Sequence, residues 1–178
     1  LGVKKLRITG GEPLVRKNII HLFKNLGKLL GKGLEELTLT TNGSQLFNYA
    51  NDLYESGVRR INVSLDSLDK KKFKQITRIG DFDKVIKGIM TAKKAGLKIK
   101  INAVAIKGIN DDEILDLVNW CGENKFALTF IEVMPMGEIG IKRADQYMPL
   151  TEVKKLIQTK YSITDDPLRT GGPARYVH

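Results

Sequence analysis

LRITGGEPL, residues 6–14, is the stretch of sequence from which the fold of this chain is predicted. It has the pattern of a short strand that ends abruptly in a tight turn at Gly10 and Gly11. Two adjacent glycines remove side chains from the turn, so a ligand can contact the backbone N–H and C=O groups directly. Pro13 has no N–H to give to a β-ladder and ends the strand. The alternative is an ordinary strand-to-helix connection, and this stretch alone leaves both interpretations open.

The composition is that of a globular protein of ordinary type. The 178 residues are enough for one domain with a sizeable core, and 42% hydrophobic with 28% charged residues argue against a disordered or fibrous protein. No apolar run approaches the ~20 residues that a membrane span requires, and no signal peptide is visible. The single cysteine, Cys121, suits a reducing compartment, so we expect a cytoplasmic protein. Its helical spacing from Ile114 and Leu117 predicts a buried thiol.

The net charge of +10 indicates an anionic partner, which could be a nucleotide, a nucleic acid or an acidic surface. The charge is dispersed, however, and its densest run, at residues 70–74, fits a solvated helix better than a binding patch. Aromatic residues make up 7% of the sequence and do not interleave with the basic ones. A stacking platform for nucleic acid is therefore not supported, and we expect no nucleic-acid partner.

Strand-like runs alternate with helix-like patterns five times, at a period near 30 residues, which predicts βαβ units and a parallel α/β sheet. No glycine-rich phosphate loop of the Rossmann or Walker type is present. Five repeats are too few to close an eight-stranded barrel, so the choice lies between an open doubly wound sheet and a partial barrel. A start at Leu1, within strand-like sequence, favours a partial barrel truncated at its N-terminus. The predicted strands cover residues 3–9, 35–41, 59–65, 97–105 and 127–133.

Several helix ends are marked by their residues. Gly57 and Gly96 are placed as C-terminal caps, and Asn110 begins a helix-start signal. A last helix is predicted over residues 151–159, capped by Thr151. We expect residues 1–145 to form the partial barrel and residues 146–178 to form a helix and a tail that leads to a further C-terminal region.

Side-chain parity predicts that one face of the sheet is apolar and the other polar. Ile61 and Val63 alternate with Asn62 and Ser64, and the other strands show the same alternation. The apolar face suits packing under the helices. Arg7 and Lys100 fall on the polar face, where a buried charge must be paired, so this face is expected to bind an anion. Polar or turn-forming residues also follow four strands, at the edge where parallel α/β proteins bind ligands, namely at residues 10–13, 40–43, 64–66 and 132–135.

Five segments occur in a distinctive order: GGEP at 10–13, TTNG at 40–43, RRINVSLD at 59–66, KGIND at 107–111 and FIEVMP at 130–135. Together they resemble the radical S-adenosylmethionine (SAM) GTP 3′,8-cyclase family of molybdenum cofactor biosynthesis. GGEP alone is typical of the whole radical SAM superfamily. The other segments indicate the GTP 3′,8-cyclase family within that superfamily. The resemblance runs through nearly the whole sequence.

The resemblance implies a partial (βα)6 barrel of the TIM-like type, with SAM across the strand ends and GTP in the lumen. In this family a 5′-deoxyadenosyl radical derived from SAM abstracts the C3′ hydrogen of GTP, and the sugar radical attacks C8 of guanine to give 3′,8-cyclo-7,8-dihydro-GTP. Six residues of this protein would contact ligands. For SAM these are Gly11 through its backbone, Ser64 through its hydroxyl and Met134 at the adenosyl end; for GTP they are Arg7, Thr40 and Lys100.

A purely structural role is the alternative for three of these residues. Ser64 would satisfy a strand end, Met134 would pack in the core, and Thr40 would favour the β-strand conformation. The family's two [4Fe-4S] clusters are bound by cysteine thiolates, which Cys121 cannot supply. We therefore assign no catalytic or metal-binding residue and expect these 178 residues alone to be inactive. The resemblance also implies a homodimer and a downstream pathway protein as partner. The alternatives are another radical SAM enzyme and a non-catalytic basic nucleotide- or RNA-binding α/β domain.

Overall fold

The computed structural model describes residues 2–133, 145–167 and 174–178. At its centre lies a parallel sheet whose five strands are neighbours in sequence order. All five predicted strands are confirmed, with ends that differ from the sequence pattern by at most two residues. They are β1 (Lys5–Ile8), β2 (Glu36–Thr41), β3 (Arg60–Ser64), β4 (Lys98–Ala105) and β5 (Ala127–Glu132).

The strand order decides between the two architectures that the sequence left open. A doubly wound sheet reverses its strand order at a switch point, whereas each strand here lies beside its predecessor. Because every right-handed crossover then advances in the same direction, the connecting helices cover one face of the sheet. This is the wall of a (β/α) barrel, which the five strands leave open. The prediction of a partial barrel is confirmed.

Helices connect the strands on the outer face. Short 3₁₀ turns at Pro13–Val15 and Asp111–Glu113 precede the first and fifth helices, and a two-stranded antiparallel hairpin lies near the C-terminus. None of the helices described is long and apolar enough to cross a membrane. The helices are α1 (Ile19–Gly27), α2 (Leu46–Glu55), α3 (Lys70–Thr77), α4 (Phe82–Lys94), α5 (Ile114–Asn124) and α6 (Leu150–Gln158); the hairpin strands are β6 (Asp165–Asp166) and β7 (Tyr176–Val177).

The core lies between the apolar face of the sheet and the helices. Leu39, Ile61 and Ile101 project from neighbouring strands and are fully buried against helix residues such as Phe23 and Ile89. Each large aliphatic group buried in this way contributes about 1.5–3 kcal/mol, so this layer is the main source of stability. A smaller cluster attaches α6 to β4 and α5; it consists of Ala105, Ile114, Met148 and Val153.

The predicted helix ends are confirmed in two places and wrong in a third. Gly57 and Gly96 follow α2 and α4 with φ of +91° and +90°, the left-handed conformation that favours glycine. Thr151, however, does not cap α6. The helix begins at Leu150, because Pro149 fixes a φ of −62° at the N-cap, and the Leu150 N–H is satisfied by a distant acceptor, Glu132 Oε1, at 2.9 Å.

Candidate functional site

One carboxylate joins the carboxyl ends of β1 and β2. Glu12, in the turn after β1, accepts hydrogen bonds from the Thr41 hydroxyl at 2.7 Å and from the Asn42 N–H at 2.6 Å. It also accepts one from the N–H of Leu14 at 3.0 Å, which starts the following 3₁₀ turn. The sequence pattern gave Glu12 no catalytic role and did not indicate this one. Its charge holds the GGEP and TTNG turns together through charge-assisted hydrogen bonds.

The backbone at Gly10 and Gly11 is open to a ligand. Gly10 has a φ of +143°, a conformation that residues with side chains rarely adopt, and both glycines are exposed. A Cβ built at either position meets no atom of the described residues within 4 Å. Among the described residues the turn is therefore exposed and uncrowded at the carboxyl edge of the sheet, where the sequence predicted a backbone contact from Gly11.

A buried amide organises the carboxyl ends of β3 and β4. Asn110 is completely buried; its Nδ2 donates to the carbonyls of Asp66 (2.5 Å) and Val104 (2.9 Å), and its Oδ1 accepts from the N–H of Ile106 (2.7 Å). The Asp66 carboxylate in turn accepts a hydrogen bond from the N–H of Val104 at 2.8 Å. Burial raises the pKa of the Asp66 carboxyl, although the hydrogen bond from Val104 acts to lower it. A helix does begin here, as predicted, and Asn110 occupies the N-cap position of its 3₁₀ turn, but the Asn110 side chain forms no capping hydrogen bond.

The inner face of the sheet brings together the predicted strand residues. Arg7 pairs with Thr38, Thr40 pairs with Asn62, and Asn62 pairs in turn with Lys100. The side groups of paired residues in a parallel sheet point to the same face. Ser64 lies two residues beyond Asn62, about 6.6 Å further toward the carboxyl edge and on the same face. The common polar face predicted for Arg7, Thr40, Ser64 and Lys100 is therefore confirmed; their ligand contacts stay predictions.

This face, here called the polar face, is positively charged. The strand residues that point to this face include five cations and a single carboxylate, Glu36, which forms a two-pronged ion pair with Arg60. The hydrogen bond from Arg60 lowers the pKa of Glu36; burial opposes this, while the charges of Arg60, Lys5 and Arg7 add to it. Within the described residues, Arg7 and Lys100 form no ion pair. The cations are Lys5, Arg7, Arg60, Lys98 and Lys100.

The C-terminal hairpin also reaches the polar face. The ring of Tyr176, in β7, lies with its centroid 5.3 Å from Nζ of Lys100, within the range of a cation–π contact. The sequence pattern gave no role to Tyr176. Nothing in its local sequence indicates this contact, because the two residues lie far apart in sequence and meet only when the hairpin docks.

Met134, the third residue predicted to contact SAM, lies outside the described residues. Within residues 2–133, 145–167 and 174–178 there is no group of three or more His, Cys, Asp or Glu residues that could hold a metal ion. The single thiol is 2% exposed, as predicted, and burial raises the pKa of Cys121 to about 12. A buried protonated thiol is not a cluster ligand, so these 178 residues do not by themselves supply the ligands of an iron–sulfur cluster.

Comparison with known proteins agrees with this geometry. Residues 1–121 match the model of the Radical SAM superfamily, and the chain therefore belongs to this superfamily. It is 60% identical over 176 residues to a GTP 3′,8-cyclase of Rhizobium etli (strain CIAT 652), covering 99% of this chain and 51% of that protein. It is also 57% identical over 178 residues to a GTP 3′,8-cyclase of Mesorhizobium japonicum, covering 99% and 54%. The chain spans about half the length of the curated relatives it matches.

Solved structures show the same fold. SuiB of Streptococcus suis, crystallised with S-adenosylmethionine, is 25% identical and superposes with a TM-score of 0.63 over 87% of this chain and 34% of SuiB. A domain of a pyruvate-formate lyase-activating enzyme from Bacteroides vulgatus is 19% identical, with a TM-score of 0.64 over 87% of this chain and 91% of that one. At that identity the second likeness concerns the fold alone.

Proposed function

We propose that this chain is the ligand-binding barrel of a GTP 3′,8-cyclase, the enzyme that converts GTP to 3′,8-cyclo-7,8-dihydro-GTP in the first step of molybdenum cofactor biosynthesis. The observation that carries the proposal is the polar face, on which Arg7 and Lys100 present cations without ion-pair partners among the described residues, beside the hydroxyl of Thr40. The names of relatives 57–60% identical to this chain support the same substrate.

The turn after β1 and the end of β3 suit SAM. The cofactor carries an ammonium and a carboxylate, which open backbone carbonyl and N–H groups such as those of Gly11 bind well. Ser64 is exposed at the end of β3, where its hydroxyl is free to face the same ligand. We further assign Met134 to the adenosyl end. SAM, when bound, supplies the radical for hydrogen abstraction at C3′ of GTP; the residues named here bind and orient.

The middle of the polar face suits the nucleotide. A triphosphate offers acceptor oxygens to Arg7 and Lys100, whose charge-assisted hydrogen bonds are the strong ones. Thr40 and Lys100 flank Asn62 in one row and lie about 10 Å apart, since neighbouring strands are separated by about 4.8 Å. One extended nucleotide is long enough to contact both. The half-buried lysine would then gain the anionic partner that the described residues do not provide.

The iron–sulfur clusters of the enzyme require thiolates that these 178 residues do not supply. No electron-transfer step is therefore assigned to this chain, and we expect it to bind ligands without turning them over. We propose further that the enzyme works in the cytoplasm as a homodimer and passes its product to the next protein of the pathway. Light scattering of the purified enzyme tests the dimer.

Calorimetric titration of GTP into the protein tests the substrate. We expect Lys100→Ala to weaken GTP binding by about 1.5–3 kcal/mol, the range for hydrogen bonds to charged groups. Lys94→Ala, which removes an equal charge from the exposed side of α4, is the matched control and should bind as the wild type does. Equal affinities in all three proteins would refute the assignment of Lys100. GTP binding that does not depend on Lys100, together with binding of an RNA oligonucleotide that falls steeply with salt, would instead favour a basic nucleic-acid-binding domain.

A further inference from the structure

The two residues that pair directly with Lys100 in the sheet are neutral. They are Asn62 on β3, which is 5% exposed, and Ala127 on β5, which has no polar group beyond its backbone. No carboxylate of the described residues forms an ion pair with Lys100, a residue of intermediate burial. A lysine has a flexible four-carbon stem and loses much rotamer freedom when its charge is fixed. A group that orders this charge before a ligand arrives would therefore reduce the cost of binding.

The ring of Tyr176 is that group in the structure, with Nζ of Lys100 5.3 Å from its centroid. The backbone that carries the ring is held independently of any ligand. β7 pairs with β6, Asp166 opposite Tyr176, and two backbone hydrogen bonds between Thr164 and His178 (2.8 and 2.9 Å) extend the ladder. The ring is thus carried by a hairpin whose two strands are joined by their own backbone hydrogen bonds.

We propose that Tyr176 is a positioning residue of the nucleotide site, which holds the ammonium of Lys100 over the polar face in place for an anionic ligand. The inference rests on the proposed function and adds a residue to that same site. A cation over an aromatic face uses one side of the ammonium group. The remaining N–H donors stay available for acceptor oxygens of the ligand. Part of the conformational entropy that the lysine side chain loses on binding is already lost in the free protein, so binding costs less.

The opposite effect would follow if the ring competed with the ligand for Lys100. Removing the ring would then release the lysine and tighten binding. The sign of the change in affinity therefore distinguishes positioning from competition.

GTP titrations of the wild type, Tyr176→Leu and Tyr176→Phe test the proposal. The leucine variant should bind GTP about threefold to tenfold more weakly, and the phenylalanine variant, which keeps the ring, should bind within about twofold of the wild type. The matched control is Tyr54→Leu, which removes the same kind of contact, Arg59 at 4.2 Å from the Tyr54 ring, from helix α2. It should leave GTP affinity unchanged.

A second readout does not depend on GTP. The Hε protons of Lys100 should show an upfield ring-current shift by NMR in the wild type and in Tyr176→Phe, and should lose it in Tyr176→Leu. An unshifted Lys100 in the folded wild type overturns the proposal, even if the leucine variant fails to fold. Equal or tighter GTP binding by folded Tyr176→Leu overturns it as well. A wild type that binds no GTP, with the shift present, refutes the proposed function and this inference with it.

Discussion

The carboxylate of Glu12 and the hydroxyl of Thr41, 29 residues apart in sequence, form a 2.7 Å hydrogen bond that closes the carboxyl edge between β1 and β2. The same carboxylate binds the Asn42 N–H, while the Thr41 hydroxyl accepts the N–H of Gly43 at 3.1 Å. The GGEP and TTNG turns are therefore one hydrogen-bonded unit. Neither turn is free to move without the other, which keeps the open Gly10–Gly11 backbone in a fixed position relative to β2.

Replacing Glu12 by alanine should destabilise the protein by about 2–4 kcal/mol, because several donors lose a charged acceptor at a half-buried site. Urea denaturation followed by circular dichroism measures the loss. Glu55→Ala, at the exposed end of α2, is the control and should change stability by less than about 0.5 kcal/mol. If both variants were equally stable, the hydrogen bonds of Glu12 would have no energetic significance.

Gly88→Ala should also destabilise the protein, although alanine is the better helix former. A Cβ at Gly88 in α4 would lie 2.7 Å from the backbone carbonyl oxygen of Gly43, so either the helix or the TTNG turn must shift. Overpacking of this kind costs about 1–3 kcal/mol, more than the gain of about 1 kcal/mol in helix propensity. Thermal unfolding measures the net change.

Gly122→Ala is the matched control for that prediction. Gly122 lies within α5, and a Cβ there meets no described atom within 4 Å, so the substitution should stabilise the protein by about 0.5–1 kcal/mol. We therefore expect the free energy of unfolding to fall in Gly88→Ala and to rise in Gly122→Ala. A gain in stability at Gly88 would show that α4 accommodates the methyl group without cost.

Local patterns predicted the sheet and its polar face, because side-chain parity depends only on each strand's own sequence. The positions of Arg7, Thr40 and Lys100 on that face followed directly. The roles of Glu12 and Asn110 did not, because each also binds a distant partner, Thr41 at 29 residues and Asp66 at 44 residues, that becomes a neighbour only when the strand ends converge. Asn110 illustrates the limit: its sequence context indicates a helix start, while its amide bonds to the loop after β3.

Cys121 should react only in the unfolded protein. Its thiol is 2% exposed and its pKa is raised to about 12 by burial, so almost no thiolate is present near neutral pH. A disulfide reagent such as DTNB should label less than about a tenth of the native protein over minutes and all of it in concentrated guanidinium. Rapid labelling of the native protein would place the thiol at the surface and contradict the core packing of α5.

The Glu36–Arg60 pair makes a pH-dependent contribution to stability with a definite sign. Its hydrogen bond lowers the pKa of Glu36 below the ordinary value of 4.5, so the folded state favours the ionised form. The contribution is fully present above pH 4.5 and is lost as the pH falls through the lowered value.

Because both residues are partly exposed, we expect the ion pair to stabilise the protein by about 0.5–1 kcal/mol. The wild type should therefore be more stable than Glu36→Gln at about pH 7, and the difference should shrink as the pH falls below 4.5 and through the lowered pKa. Glu35→Gln, which breaks the exposed pair with Lys4, is the control for the loss of a surface carboxylate. A gap between wild type and Glu36→Gln that stayed constant over this range would mean that the charge of Glu36 contributes nothing.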